Sequence, residues 1–393
     1  EPIPLSPTVT SSLLAVPIFD FTINDGGGVT SDGLPLTVTN IYILADGTLT
    51  DLERSQIRLK LSGPDITSLV RSYTSSRDRW EFSLSGVNAL QVTDKGSEIY
   101  TISAYFGSGA SIEEGKTLKL SVSMTANTRG TGFGSFTTVD TGAVGSMLSI
   151  DATGLAFTIQ PSGSVSGIAL TTQPAVSAID SSGNIDTDFI ETVTISKKTG
   201  DGTLAGTFTA TAVAGVATFT DLVYSATADG EAFVLSADDD AAVGSDLAAV
   251  DSASTSSDVV ATKLTFSTEP APLTVVSGQE QVMTTVPVVR AVDADDLLDT
   301  DYTTAVTLSE VSGAGSALMS VTSDTDSSTA TASRAAVAGE ATFTGMALTY
   351  TTSGAADETF ALRASSGGLT TADSATLTAA VPNSDGTLVA AAG

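Results

Sequence analysis

Apolar and polar residues alternate along this chain with a period of two far more often than they recur every three or four positions. In Ile57-Arg-Leu-Lys-Leu61 the side chains of Ile57, Leu59 and Leu61 fall on one face of a strand, and Arg58 and Lys60 on the other. Short runs of the same kind are Thr37–Ile43, Ser55–Leu61, Arg79–Leu84, Glu98–Tyr105 and Thr117–Met124, separated by Gly, Asp, Asn and Ser clusters. Such runs, bounded by turn residues, predict strands, so the chain reads as all-β.

The pattern is also written twice. Val176-Ser-Ala-Ile-Asp180 through Ser196 returns as Val289-Arg-Ala-Val-Asp293 through Ser309, and Leu155, Phe157 and Pro161 return as Leu264, Phe266 and Pro270. Ala212-Val-Ala-Gly-Val-Ala-Thr-Phe219 returns as Ala336-Val-Ala-Gly-Glu-Ala-Thr-Phe343. A repeat this long is a domain copied in tandem rather than a solenoid unit. The substitutions between copies identify the buried face: Val216 becomes Glu340 while Ala217 and Phe219 are kept, so Ala217 and Phe219 point inward and Val216 outward. By the same logic Val193, Ile195, Val306 and Leu308 are core.

Each copy is roughly 110–125 residues long with frequent turn signals, the size of a β-sandwich of about seven strands. The expected architecture is three tandem Ig-like β-sandwich modules in an elongated array: a divergent one over 16–150 and the two copies over 154–257 and 262–381. An extended leader occupies 1–15, and a tail or linker to a further module 382–393. The second copy is longer around Ser309–Met319 and Asp324–Asp326, where loops accept insertions. The acidic stretches Ala237–Ser257 and Ala372–Gly386 read as module ends and linkers.

Three elements of the repeat carry a family likeness: Leu155-Ala-Phe157 near the start, Ala178-Ile-Asp-Ser-Ser-Gly-Asn-Ile-Asp-Thr-Asp-Phe189, and Val213-Ala-Gly-Val-Ala-Thr-Phe-Thr220 before Leu222. Together they resemble the tandem bacterial Ig-like repeats of very large cell-surface and extracellular proteins. The likeness covers 154–381 and extends more weakly over 16–150. It implies an exported fibre, adhesin stalk or surface-layer component, without implying a ligand. In the second copy Asp296 and Leu297 replace Gly183 and Asn184, so the two loops are not chemically identical.

Composition narrows the function further. The 393 residues include no Cys and no His, which removes disulfides, the usual zinc ligands and Ser-His or Cys-His nucleophile pairs. A net charge of −29 repels nucleic acid and anionic membranes. Residues 1–150 hold ten Lys/Arg against fifteen Asp/Glu, a net −5, so the residues beyond them carry −24 of the −29. A nearly neutral head and an acidic tail favour head-to-tail contact between copies. No apolar run is long enough to cross a bilayer as a helix. The chain opens on Glu1 with no basic and apolar signal segment, as a processed exported chain or an excerpt would.

The sharpest candidate chemistry is the repeated acidic loop: Asp180, Asn184, Asp186 and Asp188 in one copy, Asp293, Asp295, Asp299 and Asp301 in the other. Calcium takes six to eight hard oxygen ligands, and clustered carboxylates on a turn supply several. The competing reading is that Asp and Asn favour turns by bonding their own backbone. Arg71, Arg77, Arg79 and Trp80 form a basic-aromatic cluster, read either as a docking patch for an acidic module or as a charged strand face beside a core Trp. In the leader, Thr8–Val16 could pair along the sheet edge of a preceding subunit, with Leu14 and Val16 filling its core, or could be the first strand of its own module.

The function expected is that of an extracellular or cell-surface structural protein, a subunit of a fibre, filament or array assembled by self-association, and not an enzyme. The alternative is an adhesin or carbohydrate-binding protein, its first module a head for a cell-surface glycan or protein and its repeats a stalk.

Overall fold

Alternation in the sequence becomes pleated sheet throughout. The computed structural model describes residues 3–26, 33–127, 139–140, 146–240 and 246–382. Its buried apolar residues fall into three separate clusters, running from Leu5 to Ile150, from Leu155 to Leu247 and from Ala261 to Ala379.

The two copies share one topology. In the first, Gly154–Ile159, Ala175–Ile179 and Val216–Thr218 form a three-stranded sheet. A second sheet orders Ser164–Val165, Thr255–Asp258, Glu231–Asp239, Thr192–Thr199 and Thr209–Thr211 side by side. Leu155, Val176 and Ala217 from one sheet meet Val193, Ile195, Phe233 and Leu235 from the other in a single core. The opening strand is split: its first half pairs antiparallel with Ala175–Ile179, and Ser164–Val165 crosses to lie parallel to Thr255–Asp258. This is the strand order of an Ig-like sandwich. The second copy repeats it, with Lys263–Thr268, Val288–Val292 and Glu340–Thr342 facing Thr274–Val276, Leu377–Ala380, Glu358–Ser365, Ala305–Val311 and Thr331–Ala335. Its extra residues lengthen the strand Ser316–Ser320 and the loop after it.

The inward and outward positions read from the copies are found as expected. Ala217, Phe219, Ala341 and Phe343 are buried, as are Val193, Ile195, Val306 and Leu308, while Val216 and Glu340 are only partly covered. Each copy also stacks a Tyr on a Phe across its core, Tyr224 on Phe233 at 3.9 Å and Tyr350 on Phe360 at 4.1 Å between centroids. Burying side chains of this size contributes roughly 1.5–3 kcal/mol each.

Around the first core, Leu36–Gly47 is the long central strand, flanked by Thr117–Asn127 and Arg79–Ser83. The expected strand over Ser55–Leu61 starts only at Ile57, because Asp51–Gln56 is a short helix. Thr50 and Glu53 cap it reciprocally, the Thr-x-x-Glu signature of a helix start.

The structure also fills in both boundaries. Of the alternatives for the leader, the structure shows it joined to its own module: Pro4–Leu5 pairs in parallel with Met147–Leu148, Leu5 is buried, and the carbonyl of Val9 accepts the amide of Phe106. It therefore belongs to the first core. The acidic stretches hold module ends, as expected: Thr255–Asp258 and Leu377–Ala380 are the closing strands of their sandwiches. Asp258 is tolerated in its strand because its side chain is on the exposed face. Residues 383–393 of the expected tail lie outside the described residues.

Candidate functional site

The repeated acidic loops lie where one module meets the next. In the first copy Asp180 Oδ1 accepts the amides of Ser182 at 2.8 Å and Asn184 at 2.9 Å, closing a turn in which Gly183 adopts φ 86°. Asn184 then reaches back to the preceding module. Its Oδ1 accepts the Ile112 amide at 3.0 Å, and its Nδ2 donates to the carbonyl of Ala110 and to Asp180 Oδ2, both at 2.9 Å. Asp180 and Asn184 are thus buried and occupied by turn and docking bonds. In the second copy Asp293 makes the same turn through Asp295 and Leu297, whereas Leu297 has no amide to reach back. The Asp295 side chain is exposed, and Asp296 pairs with Lys263 at 2.8 Å.

The second half of each loop clamps the linker. Asp186 Oδ2 accepts the Ala152 amide and Asp299 Oδ2 accepts the Ala261 amide, both at 2.8 Å. A carboxylate from the preceding module completes the clamp. Glu114 accepts the amide and hydroxyl of Thr187, and the amide of Ile150 at 3.3 Å. Asp229 accepts the amide of Thr300 at 2.9 Å, its hydroxyl at 2.5 Å, and the amide of Val259 at 2.9 Å. Sequence reading missed Glu114 and Asp229, because each lies in a turn of the module before the motif it serves. The available signal was Thr187 and Thr300, kept between two aspartates in both copies.

These clamps concentrate negative charge. Glu114, Asp186 and Asp188 each offer an oxygen within 4.8 Å of the others. Burial, and behind it the neighbouring carboxylates of Asp188 and Glu114, push Asp186 up to about 6. At the second junction Asp301 is raised mainly by the adjacent Asp299 carboxyl, and Asp258 by burial and then by Asp229 and Asp299. Asp229 is lowered: burial opposes its ionisation, but the Thr300 hydroxyl and the Val259 and Thr300 amides outweigh it. Asp238, Asp239 and Asp246 form a further carboxylate group at the edge of the second core.

The basic-aromatic cluster is not an open patch. Trp80 is fully buried and donates to the Ile57 carbonyl at 3.2 Å, so it is a core residue. Arg79 lies 4.0 Å over the Tyr42 ring and pairs with Glu81, which also holds Arg77. Arg71 donates to its neighbour's carbonyl. Val16 opens the strand Val16–Asn24 and packs on the first core, and Leu14 is exposed. These residues do not converge on one site.

No protein-family profile and no curated protein matches the chain. Among solved structures it is similar to the Yersinia pseudotuberculosis adhesin InvE, at 15% identity and a TM-score of 0.23 over 57% of this chain and 58% of that one. It is also similar to the human Desmocollin-1 ectodomain, at 12% identity and a TM-score of 0.35 over 98% of this chain and 61% of that one. A third is the chicken CNTN1 FN1-FN3 segment, at 10% identity and a TM-score of 0.23 over 96% and 99% of the two chains. The match thus spans little more than half the length of the InvE structure. Scores of this size carry no argument about function, and the fold class rests on the strand order itself. Among the described residues no helix is long and apolar enough to cross a membrane.

Proposed function

We propose that this chain is an extracellular or cell-surface structural protein, a subunit of a fibre, filament or array in which Ig-like modules follow one another through a standard clamp. The observation that carries the reading is Asp357. Its Oδ1 accepts the Val381 amide at 2.8 Å, as Asp229 accepts the Val259 amide at the preceding junction. The last module thereby ends in the acceptor half of the same clamp, with its carboxylate exposed. Both clamp loops of this chain, Asp186-Thr-Asp188 and Asp299-Thr-Asp301, are engaged at its own junctions, so the surface a neighbouring copy would offer to Asp357 is that of the divergent first module, and the contrast between this near-neutral module and the acidic repeats favours that polarity of association.

Sedimentation velocity of the full chain over a concentration series, in about 0.1 M and about 1 M salt, tests the proposal, because screening shortens from about 10 Å to about 3 Å between them. Concentration-dependent species that lengthen along one axis in negative stain, and recede at high salt, are expected. A chain that stays monomeric under all conditions rejects self-assembly. Leu13 and Leu14 stand exposed on the first module, and a monomer that binds a surface glycan or protein through them would favour the adhesin reading instead.

A further inference from the structure

We propose that the leader is an exchangeable strand: residues 3–10 of one copy fill the seat at the edge of a second copy's first module, and the second copy's leader fills the seat of the first. This contact goes beyond the end-to-end association through Asp357, because it joins two copies by their first modules.

The seat and its occupant are both present in the folded chain. Pro4–Leu5 pairs in parallel with the last strand of its module, Ser146–Leu148, as Ser164–Val165 and Thr274–Val276 do with the last strands of the repeats. Leu5 is 1% exposed in one core with Leu118, Leu148 and Ile150, and Ile3 packs against the same core. The Leu5 carbonyl accepts the Ser149 amide at 3.3 Å, and the Val9 carbonyl the Phe106 amide at 2.8 Å. Without a leader the outer edge of Ser146–Leu148 would be unpaired and this part of the core uncovered. The seat must be filled, but its contacts do not specify from which chain, because an exchanged leader makes the same bonds and buries the same side chains.

Strand order makes the first module suited to this. In the repeats the parallel half of the opening strand follows the antiparallel half and lies between strands of its own sandwich. In the first module the parallel half comes first and reaches the module's other strands only through residues 6–15, after which Val16–Asn24 pairs antiparallel with Ser97–Phe106. That connector folds back at residues 11–14, where the Leu14 amide donates to the Ser11 carbonyl at 3.1 Å and the Leu13 amide to Ser11 Oγ at 3.2 Å. Lys60 Nζ ties the turn to the sheet through the Ser12 carbonyl at 3.0 Å. Straightening these four residues adds roughly 13 Å of reach. At the turn Leu13 and Leu14 are 91% and 70% exposed. In the exchanged pair the two connectors run side by side, and the leucines of each copy cover those of the other. That burial is what exchange gains over the closed chain, and it commits the seat to a second copy.

The chain has no Cys, so introduced thiols report exchange without background. Pro4 and Met147 are partners across the seat and both are exposed, on adjacent strands whose spacing a disulfide spans. A full chain carrying Pro4→Cys and another carrying Met147→Cys, unfolded together, refolded at high concentration and oxidised, should give a disulfide-linked pair of one chain of each kind on non-reducing electrophoresis. A chain with both substitutions, oxidised when dilute, should close the bond within itself. A variant lacking residues 11–14 has too short a connector to reach its own seat, and should sediment as a dimer at concentrations where the parent is a monomer. Leu13→Ser together with Leu14→Ser should lose most of the mixed pair while leaving the melting of the monomer unchanged. Absence of the mixed pair overturns exchange, as does a shortened variant that stays monomeric. Asp357→Ala should leave the mixed pair intact, so failure of exchange and failure of end-to-end association are read separately.

Discussion

Thr187 gives both its amide and its hydroxyl to the carboxylate of Glu114, a residue of the module before it, with the hydroxyl bond at 2.6 Å. At the next junction Thr300 does the same to Asp229. One bidentate contact, made twice from different residues of the preceding module, fixes how each repeat follows its neighbour. Replacing Thr300 by Val keeps the shape and the amide bond but removes the hydroxyl bond. The expected cost is about 0.5–1.5 kcal/mol, because the contact is partly exposed. The larger effect should be angular freedom: small-angle scattering should show a broader distance distribution and limited proteolysis a faster cut near residues 259–262. A variant as rigid as the parent would show that the clamp is dispensable.

Ala214 and Gly215 both have positive φ, 49° and 77°, in a two-residue hairpin closed by paired bonds between Val213 and Val216. Ala338 and Gly339 repeat it at 50° and 78°. A Cβ on Gly215 or Gly339 would collide with the carbonyl of Asp186 or Asp299, so the glycine lets the hairpin seat the acidic loop. Gly215→Ala should therefore cost about 2 kcal/mol or more. Ala214→Asn should stabilise by roughly 0.5–1 kcal/mol, since Asn tolerates this backbone better than Ala. Chemical denaturation of the two variants checks both signs.

Acid and base stability of the second core should turn on one pair. Glu231 accepts from the Tyr224 hydroxyl and the amides of Asp201, Gly202 and Thr227. Burial opposes its ionisation, yet these donors prevail and hold it at about 2 against an ordinary 4.5. A depressed folded value means that the contribution is full above pH 4.5 and is lost as the pH falls towards 2. Tyr224 moves the other way: burial, then the Glu231 carboxylate, push it up to about 12 from 10.0. Its contribution is full below pH 10 and is lost as the pH rises through 12. Glu231→Gln should flatten the acid limb of a stability–pH curve measured by calorimetry, and an unchanged limb would count against the pair.

Trp80 is the sole tryptophan and stands in the first core, 4.9 Å from the Tyr73 ring. Its emission should be blue-shifted and resist aqueous quenchers until the first core unfolds. Trp80→Ala should cost about 3–5 kcal/mol. Ready quenching in the native protein would restore the docking-patch reading that burial now argues against.

The residues of this chain by themselves determined the all-β class, the tandem copies and the direction in which their strands face. Those properties are local: a period of two assigns each side chain to a face, and a substitution such as Val216 to Glu340 reveals which face meets water. The acidic loops were legible as special, but not what they touch. That Asp180 and Asn184 are turn and docking residues, while Asp186 and Asp299 hold linkers, depends on amides at Ile112, Ala152 and Ala261 that no spacing rule connects to them. The carboxylates of Glu114 and Asp229 enter the site only because one module is stacked on the next. The fate of the leader was decided in the same way. Its extended, proline-rich character is written in the residues, but the edge on which Leu5 pairs is created by Met147 and Leu148, and only folding of the first core brings that edge to it.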